Sequence, residues 1–395
     1  MVSTLRTDQR CPNSPAANTV ARPARIYLSA PSAGERELNK IKKVIESGWI
    51  APAGPHLDKF ENVLSDYFDG KRVLVLNSGT AAIHLGLKLL GIQPGDKVIC
   101  PTSSFCATTN PVLYEKAIPV FVDCEIESFG SDPDLIEEAI LKESTKGEIP
   151  VVILAMHNYG MPCQMKRIQT IALKHGIPIL EDAAEAMGSK FEGQLTGTLT
   201  DFGILSFNGN KIITTGGGGA LLLQDDDMYS KALKLATQAN EVLPYYHHIT
   251  LGYNYRMSSV AAGIGLGQME TLEERVMRRK EIFRMYEDQL IHEGISFFQG
   301  PKNVESNRWL SLMLIDQTKM GFNNIDLKRH LEENNIESRI CWQPLHVQPL
   351  YQQYDCYENG NAKWLFESGL CLPSGSGLSD EEVGRVIQVI IEYMK

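Results

Sequence analysis

Between residues 72 and 182, short and continuous apolar runs alternate with segments of helical periodicity. The runs RVLVLN, DKVICP, AIPVFVD, PVVILAM and IPILED are rich in Val, Ile and Leu, whereas TAAIHLGLKLLG, DPDLIEEAIL and MKRIQTIALKHG carry apolar residues at helical spacing. Strands that are apolar on both faces and joined by helices are typical of a mainly parallel sheet covered on both sides. We therefore predict an α/β fold built on such a sheet.

The pattern changes after about residue 270. A long charged segment, METLEERVMRRKEIFRMYEDQLIHEG, is followed by the predicted strand RWLSLMLI and by the predicted helices NIDLKRHLEENN and SDEEVGRVIQVIIEYM. A chain of 395 residues is also long for one compact core. We predict a large α/β domain at 26–270 and a smaller α+β domain at 271–395.

The first 25 residues differ from the rest, because they contain four arginines, three prolines, one acidic residue and almost no large apolar side chain. This composition predicts a disordered tail. An organelle transit peptide remains the alternative, since the segment is rich in arginine and poor in acids.

Charge and cysteine content narrow the possible partners. The formal net charge is -10 and the body of the chain has no block of Lys or Arg, which argues against nucleic acid or a membrane surface as a partner. No apolar run approaches the roughly 18 residues of a membrane helix. Eight cysteines without a C-x-x-C pair, and histidines without H-x-x-x-H spacing, predict no metal site and a reducing, cytoplasmic location.

Polar residues follow the predicted strands at the points where they end. In LNSGTAAIHL, Ser78, Gly79 and Thr80 stand between a strand and a helix. Free backbone N–H groups and the helix dipole suit such a junction to an anion. The same residues also serve as ordinary helix caps, so this motif alone leaves both interpretations open.

Two further strand ends carry residues that suit a planar, protonated ligand. PILEDAAEAMG places Glu181 and Asp182 after a buried strand, where a carboxylate is costly unless a cation meets it. TSSFCATTN places Phe105 after another strand, where its ring could stack on a flat ligand. Alone, the carboxylates could equally form a buried ion pair or a helix cap, and the phenyl ring could belong to the core.

Lys211 lies in SFNGNKIITTGGGGALLL, between an apolar run and four consecutive glycines. A single lysine is most often an exposed, solvated side chain. Together with the anion site, the aromatic ring and the aspartate about 30 residues earlier, however, it completes the set of groups that holds pyridoxal phosphate. The combination therefore predicts a pyridoxal phosphate enzyme with Lys211 as its reactive amine.

These residues resemble the DegT/DnrJ/EryC1/StrS sugar aminotransferases, a family of fold-type I pyridoxal phosphate enzymes. The resemblance extends from Ile26 to Lys395, and its markers are SGWIAPAGPHLDKFE, NSGTAAIHL, EDAAEAMG, SFNGNKIITTGGGG, GYNYRMSSVAAGIGLGQME and CLPSG. It implies a large domain with a mainly parallel, seven-stranded-type sheet and a small C-terminal domain. NGNKIITTGGGG, SNRWLS and CLPSG look most like the UDP-N-acetylbacillosamine-pathway branch, which transfers the amino group of L-glutamate to C4 of a UDP-linked 4-keto-6-deoxy-N-acetylhexosamine.

The resemblance also implies roles for individual residues. Lys211 would bond covalently to the cofactor and then move a proton, and Asp182 would pair with the ring nitrogen. Glu185 would face the ring hydroxyl, where many relatives have Gln or His. The remaining cofactor contacts would be Phe105 and Ala184 on the two ring faces and Ser78, Gly79, Thr80 and Ser206 at the phosphate. Asn254 would reach the phosphate of a neighbouring subunit, which implies a homodimer.

The sequence indicates much less about which residues bind the sugar. Trp49 and Ile50 lie in a loop that approaches the active site in relatives, and Arg308 and Arg339 suit a diphosphate. Further polar residues that could reach a nucleotide sugar are His157, Asn158, Tyr255 and His346. Each of these side chains could equally make a surface ion pair or a satisfied core contact.

Three other functions remain as alternatives. The chain could aminate another keto sugar or a cyclitol, at C3 or on a different nucleotide. A sugar dehydratase of this class carries histidine in place of the lysine, so Lys211 argues against that activity. A non-catalytic relative would lack Lys211 or Asp182, and both are present.

Overall fold

The computed structural model describes residues 24–395. The predicted tail at 1–25 lies outside the described residues except for its last two positions. Arg25 forms an ion pair with Glu332, with 2.5 Å between Nη1 and Oε1. Within the described part, no helix is both long and apolar enough to cross a bilayer.

Helices alternate with strands along the described chain, as the sequence predicts. The α-helices are α1 Glu35–Glu46, α2 Pro55–Tyr67, α3 Gly79–Leu89, α4 Asn110–Tyr114, α5 Pro133–Thr145, α6 Met165–His175, α7 Asp226–Ala236, α8 Ser259–Met269, α9 Leu272–Leu290, α10 Gln317–Met320, α11 Asn324–Glu333, α12 Asn361–Ser368 and α13 Asp380–Met394. Short 3-10 helices span Cys106–Thr108, Asn158–Gly160 and Leu345–Val347.

The strands are mostly short. They are β1 Arg72–Leu76, β2 Lys97–Pro101, β3 Ile118–Val122, β4 Val152–Met156, β5 Ile179–Asp182, β6 Lys190–Phe191, β7 Gln194–Leu195, β8 Phe202–Ser206, β9 Gly219–Leu223, β10 Ile295–Phe297, β11 Val304–Glu305, β12 Ser311–Ile315, β13 Arg339–Ile340, β14 Cys356–Tyr357 and β15 Gly369–Leu372.

The largest sheet has the strand order β1-β9-β8-β5-β4-β2-β3-β14. Neighbouring strands from β8 to β14 pair in parallel, and β9 runs antiparallel to both β1 and β8. The predicted mainly parallel sheet is therefore confirmed. It has eight strands rather than seven, because the two residues of β14 add to the edge beside β3.

A second sheet, β10-β12-β15-β13, is antiparallel and packs with α9, α11 and α13 around one apolar cluster. Ile26 joins this cluster from the far end of the chain: its N–H donates to Asn335 O and its carbonyl accepts from Glu337 N. Conversely, β14 belongs to the C-terminal part of the sequence but pairs with β3 in the large sheet. The domain division at residue 270 stays a prediction, and both Ile26 and β14 pack on the opposite side of it from their place in the sequence.

The parallel strands determine where a site can form. Pro101, Met156, Asp182 and Ser206 are the last residues of β2, β4, β5 and β8. Because parallel strands point the same way, these four ends lie along one edge of the sheet, which is where open α/β sheets bind ligands.

A buried carboxylate ties the edge strand β14 to the rest of the large sheet. The Glu143 side chain on α5 is fully buried and accepts hydrogen bonds from Lys97, Lys146 and Tyr357, the last at 2.7 Å. Burial opposes ionisation of Glu143, but these three donors outweigh it and lower its pKa to about 2. The ionised form is therefore bound more favourably in the folded chain than in the unfolded one.

We expect the hydrogen-bonded cluster around Glu143 to stabilise the fold at neutral pH and to lose this contribution in acid. The pKa of Glu143 is lower in the folded chain than the unfolded value of about 4.3, so the contribution is complete above about pH 5 and is lost as the pH falls toward 2. Glu143→Gln should lower the free energy of unfolding at pH 7 by about 3 kcal/mol and flatten its dependence on pH in that range. Urea unfolding from pH 7 to pH 3 measures both effects.

Glu138→Gln is the matched control, because Glu138 lies on the same helix but its side chain is 44% exposed, and its ion pair within the described residues is with Lys142. Its loss should change stability by less than about 0.5 kcal/mol. Equal effects of the two substitutions would contradict the role of Glu143.

Candidate active site

A cavity of about 680 Å³ lies at the edge of the sheet where β5 and β8 end. Nine of the ten residues that the sequence assigns to the cofactor line its wall, and Asn254 does not. The nine are Ser78, Gly79, Thr80, Phe105, Asp182, Ala184, Glu185, Ser206 and Lys211. The fold therefore brings the predicted groups to one place, and their roles toward a cofactor stay predictions.

One wall of the cavity is the first turn of α3. Ser78 caps this helix, since its Oγ accepts a hydrogen bond from Ala81 N at 3.0 Å. The first backbone N–H groups of a helix have no partner within the helix, and the dipole places partial positive charge there. Gly79 sits so close to the end of β8 that an added Cβ would lie 3.2 Å from Ser206 Cβ. The cradle is therefore polar, positive and narrow, as a phosphate requires.

The run of four glycines passes against this cradle. Gly216 has φ +82°, a conformation that L side chains rarely adopt. A Cβ on Gly219 would lie only 2.4 Å from Gly79 N. The glycines thus provide a sharp turn, and Gly219 allows a close approach to the start of α3.

Asp182 ends β5 and is buried at the cavity wall. Thr108 Oγ1 donates to its Oδ2 at 2.8 Å and Ala184 N donates to its Oδ1 at 3.1 Å. Burial raises its pKa, and these two hydrogen bonds offset that effect only in part. Within residues 24–395, no basic side chain lies in ion-pair range of this carboxylate, that is, within 4.0 Å. A buried, unpaired carboxylate facing a cavity fits a ligand with a protonated ring nitrogen.

Glu185 and Lys211 meet in the same cavity. Lys211 Nζ lies 3.4 Å from Glu185 Oε1 and 4.1 Å from the centroid of the Trp309 ring. Glu185 is also buried, and its Oε2 accepts from Tyr159 N at 2.9 Å. Burial raises the pKa of Glu185, against the opposing effect of the Lys211 charge. The amine therefore faces two buried carboxylates, one of them in direct contact.

Phe105 provides an aromatic surface at the cavity. Its ring is 51% exposed, although it is a large apolar side chain, and its centroid lies 5.5 Å from that of Trp342. This exposure favours a stacking surface over a core residue. The anion cradle, the unpaired carboxylate, the amine and the ring together fit pyridoxal phosphate.

Two of the residues predicted to bind the sugar are buried beneath the site. His157 Nε2 lies 2.9 Å from Glu181 Oε1, while its Nδ1 accepts from Cys163 N at 3.1 Å. Asn158 Nδ2 donates to the carbonyls of Ser103 and Phe129. Neither side chain lines the cavity, and both connect loops of the protein itself. Their role toward the sugar stays a prediction.

Arg308, which the sequence suits to a diphosphate, also lies outside the cavity wall. Its guanidinium lies 3.8 Å from the centroid of the Phe283 ring and donates to the carbonyls of Phe298 and Gln299. These contacts hold a positive-φ turn at Arg308 itself, φ +52°. The side chain does not line the cavity and is not placed to bind a diphosphate there.

The other predicted sugar residues divide into three groups. Tyr255 Oη lies 3.0 Å from His84 Nδ1, and His346 Nδ1 lies 2.7 Å from Thr102 Oγ1, so both are engaged outside the cavity. Trp49 and Ile50 are more than half exposed and lie in the loop after α1. Arg339 alone among the eight predicted sugar residues lines the cavity.

Comparison with known proteins identifies the group to which this architecture belongs. A family model described as the DegT/DnrJ/EryC1/StrS aminotransferase family matches residues 31–391. The chain belongs to this family. EpsN of Bacillus subtilis (strain 168), named as a candidate pyridoxal phosphate-dependent aminotransferase, is 42% identical over 372 residues, covering 93% of this chain and 95% of its own. The GDP-perosamine synthase of Escherichia coli O157:H7 is 33% identical over 368 residues, covering 93% and 98%.

Solved structures agree with this family assignment. Spr1654 of Streptococcus pneumoniae, named as a candidate sugar aminotransferase, superimposes in its PLP form with a TM-score of 0.86 at 28% identity, covering 94% of this chain and 99% of its own. The same protein is also known in a PMP form. The predicted fold class and family are therefore confirmed, and pyridoxal phosphate is confirmed as the cofactor at the level of the family.

Sequence reasoning missed several residues that line the cavity of this family member. Thr108 holds Asp182, and Trp309 and Trp342 form aromatic walls. Thr108 lies in TSSFCATTN and Trp309 in SNRWLS, two stretches already selected for other residues. The sequence alone therefore shows a hydroxyl three positions after Phe105, but it does not show where the Trp309 ring points.

We expect the hydroxyl of Thr108 to keep Asp182 ionised for its partner. In Thr108→Val, burial would raise the pKa of Asp182 further, because one of its two donors is lost. The affinity of the apo-protein for pyridoxal phosphate should fall about tenfold. Equilibrium titration followed by cofactor absorbance measures this change.

Thr109→Val is the control, because Thr109 is also fully buried and its hydroxyl touches no carboxylate. This variant should bind the cofactor as the unaltered chain does. A tenfold loss in both variants would mean that packing, not the hydrogen bond to Asp182, sets the affinity.

Proposed function

We propose that this chain is a pyridoxal phosphate-dependent sugar aminotransferase, moving the amino group of L-glutamate to C4 of a UDP-linked 4-keto-6-deoxy-N-acetylhexosamine. The observation that carries the proposal is the meeting of Lys211, Glu185 and Asp182 in one cavity beside the start of α3. A buried ion pair usually stabilises a fold no more than apolar side chains of the same volume would. Stability alone therefore does not account for a lysine beside buried carboxylates at this position.

The residues of the chain have distinct tasks in this reaction. When bound, pyridoxal phosphate supplies an electron sink that allows an amino group to move between carbon skeletons. The backbone N–H groups of Gly79 and Thr80 would hold its phosphate, and Asp182 would keep a proton on its ring nitrogen. Lys211 would hold the cofactor covalently and, once released, would take the proton from Cα of the amino acid.

Glu185 is poised to share a proton in this arrangement. Its carboxyl is buried, with a raised pKa, and it lies beside both Lys211 and the backbone N–H of Tyr159. A protonated carboxyl can donate a hydrogen bond to a ring hydroxylate, whereas an ionised one would repel it. We therefore assign Glu185 to the cofactor ring hydroxyl, with the proton shared between the two oxygens.

The nucleotide has two candidates. The motifs NGNKIITTGGGG, SNRWLS and CLPSG support a UDP-linked substrate. A GDP-linked keto sugar is the second candidate, because the relative from Escherichia coli O157:H7 is named GDP-perosamine synthase and is 33% identical to this chain. Both candidates present a ketone that would accept the amino group, so the cofactor chemistry is the same for either.

A substrate panel tests the proposal and separates the candidates. Purified chain with glutamate and UDP-, GDP- and dTDP-linked keto sugars should form an amino sugar fastest from the UDP-linked 4-keto N-acetyl sugar, detected by mass spectrometry. Lys211→Ala should lose amino transfer by at least about a thousandfold, because Lys211 is the one lysine among the described residues that line the cavity. Faster amination of a GDP sugar would replace the first candidate with the second. A fully active Lys211→Ala would refute the aminotransferase.

We also propose that the active form is a homodimer. Several apolar side chains on α1 and in the loop at 237–254 face outward: Leu38 and Ile45 are 63% and 61% exposed, and Val242, Tyr246, Ile249 and Leu251 are exposed too. Asn254 is exposed beside the cavity, and its carbonyl accepts from Asn77 Nδ2 at 3.2 Å. A second copy would cover these apolar side chains and place Asn254 of the partner subunit at a phosphate.

Sedimentation tests the dimer with a matched pair of variants. The unaltered chain should sediment as a dimer at micromolar concentration. The double variant Leu38→Glu with Ile45→Glu should weaken association by at least about tenfold, since it would bury charges in an apolar contact. Leu173→Glu is the control, because Leu173 is 86% exposed on α6, away from that face. A fully active monomer would contradict the proposal.

A further inference from the structure

The amine of Lys211 has a second neighbour besides Glu185. Its Nζ lies 4.1 Å from the centroid of the Trp309 ring, which is within the range of cation–π attraction. We propose that Trp309 is a positioning residue for Lys211: its indole face holds the amine at the cavity and favours its charged form whenever the amine is not bonded to cofactor. The inference rests on the proposed function and adds a residue to it.

The Trp309 ring is held in a fixed orientation. The side chain is 1% exposed, and its Nε1 donates to Asn210 O at 2.8 Å. Asn210 directly precedes Lys211, so the ring is tied to the backbone that carries the amine. The main chain of Trp309 is held as well, because its N–H donates to Asn307 Oδ1 and its carbonyl accepts from Arg279.

The neighbouring Asn307 ties the same segment to Glu185. Asn307 is fully buried, and its Nδ2 donates to Glu185 O at 3.0 Å and to Met187 O at 2.9 Å. Residues 307–309 therefore hold both partners of the ion pair, Glu185 through Asn307 and Lys211 through Trp309. The relative position of carboxylate, amine and ring follows from this one segment.

A second layer supports the Asn210 carbonyl. Ser29 Oγ donates to that carbonyl at 2.7 Å and accepts from Arg279 Nη2 at 3.0 Å. Arg279 is 1% exposed, so its contact with Ser29 is buried. The carbonyl before Lys211 thus accepts two hydrogen bonds, and the turn that carries the amine cannot shift without breaking both.

The ring face suits the charge that Lys211 acquires. A released lysine side chain is a long, flexible stem, and it becomes a cation when it takes the proton from the Cα–H bond. The negative face of the indole attracts that cation on one side and Glu185 attracts it on the other. The other charged groups around the amine are Asp182 and Arg339, which also line the cavity.

The pH dependence of cofactor capture tests this role. The full chain is freed of cofactor and mixed with pyridoxal phosphate, and the absorbance of the covalent product is followed by stopped flow from pH 6 to pH 10. Only the neutral amine attacks, so the rate rises with pH. In Trp309→Leu the half-maximal rate should move about one pH unit lower, because the face that favours the charged amine is lost.

Trp309→Phe separates the ring face from the indole hydrogen bond. It keeps an aromatic face but cannot donate to Asn210 O, and its half-maximal pH should stay close to that of the unaltered chain. Trp364→Leu is the control for loss of a tryptophan outside the cavity, and it should leave the pH profile unchanged. Thermal unfolding verifies each fold. If Trp309→Leu does not fold, Trp309→Met is measured in its place, because the longer methionine side chain fills more of the space left by the indole ring.

Three results would overturn the inference or its basis. If Trp309→Leu and Trp309→Met keep the unaltered profile, the ring does not act on the amine and the proposed function stands without it. If Trp309→Phe shifts as far as Trp309→Leu, the hydrogen bond to Asn210 is responsible and not the ring face. If the unaltered chain captures no cofactor at any pH, the proposed function itself fails.

Discussion

The carboxylate of Asp182 is buried at the end of a central strand, and within residues 24–395 no basic side chain pairs with it. Such a group is unfavourable in a folded protein unless a ligand supplies a cation. This one constraint accounts for much of the surrounding structure. Thr108 and Ala184 donate to the carboxylate and keep part of its charge, the cavity leaves space on its open side, and the start of α3 offers a site for the opposite, anionic end of the same ligand.

One segment of the C-terminal part of the chain contacts both partners of the ion pair. Residues 307–309 lie between β11 and β12, and they bond to the backbone at Glu185 and at Asn210. Glu185 and Lys211 are therefore held in position by a segment that lies about 100 residues later in the sequence. This arrangement explains why Arg308 has a strained backbone, since its neighbours on both sides are held by side-chain hydrogen bonds.

The sequence was sufficient for the sheet and for the main groups of the site, because both follow from strand ends. A residue that comes directly after a buried parallel strand lies at the ligand edge whatever else the chain does, and this rule located Asp182 and Phe105. It did not bring the side chains of His157 and Asn158 to the cavity, although both residues also follow a strand. Their side chains turn inward to Glu181, Ser103 and Phe129, partners far away in sequence. The two-residue strand β14 escaped notice for a different reason, since Cys356 and Tyr357 are too few to show any periodicity.

The placement of the eight predicted sugar residues bears on where a nucleotide would be recognised. Seven of the eight side chains first assigned to the sugar do not line the cavity, and Arg339 remains at its wall. The cavity floor supplies groups for amino transfer, and none of those groups distinguishes one nucleotide from another. Arg339 at the cavity wall, and in the proposed dimer a second copy of the loop at 237–254, then remain as the candidates for selection among nucleotides. Cofactor chemistry and sugar choice are therefore carried by different parts of the molecule, so that relatives of one family can share the first and differ in the second.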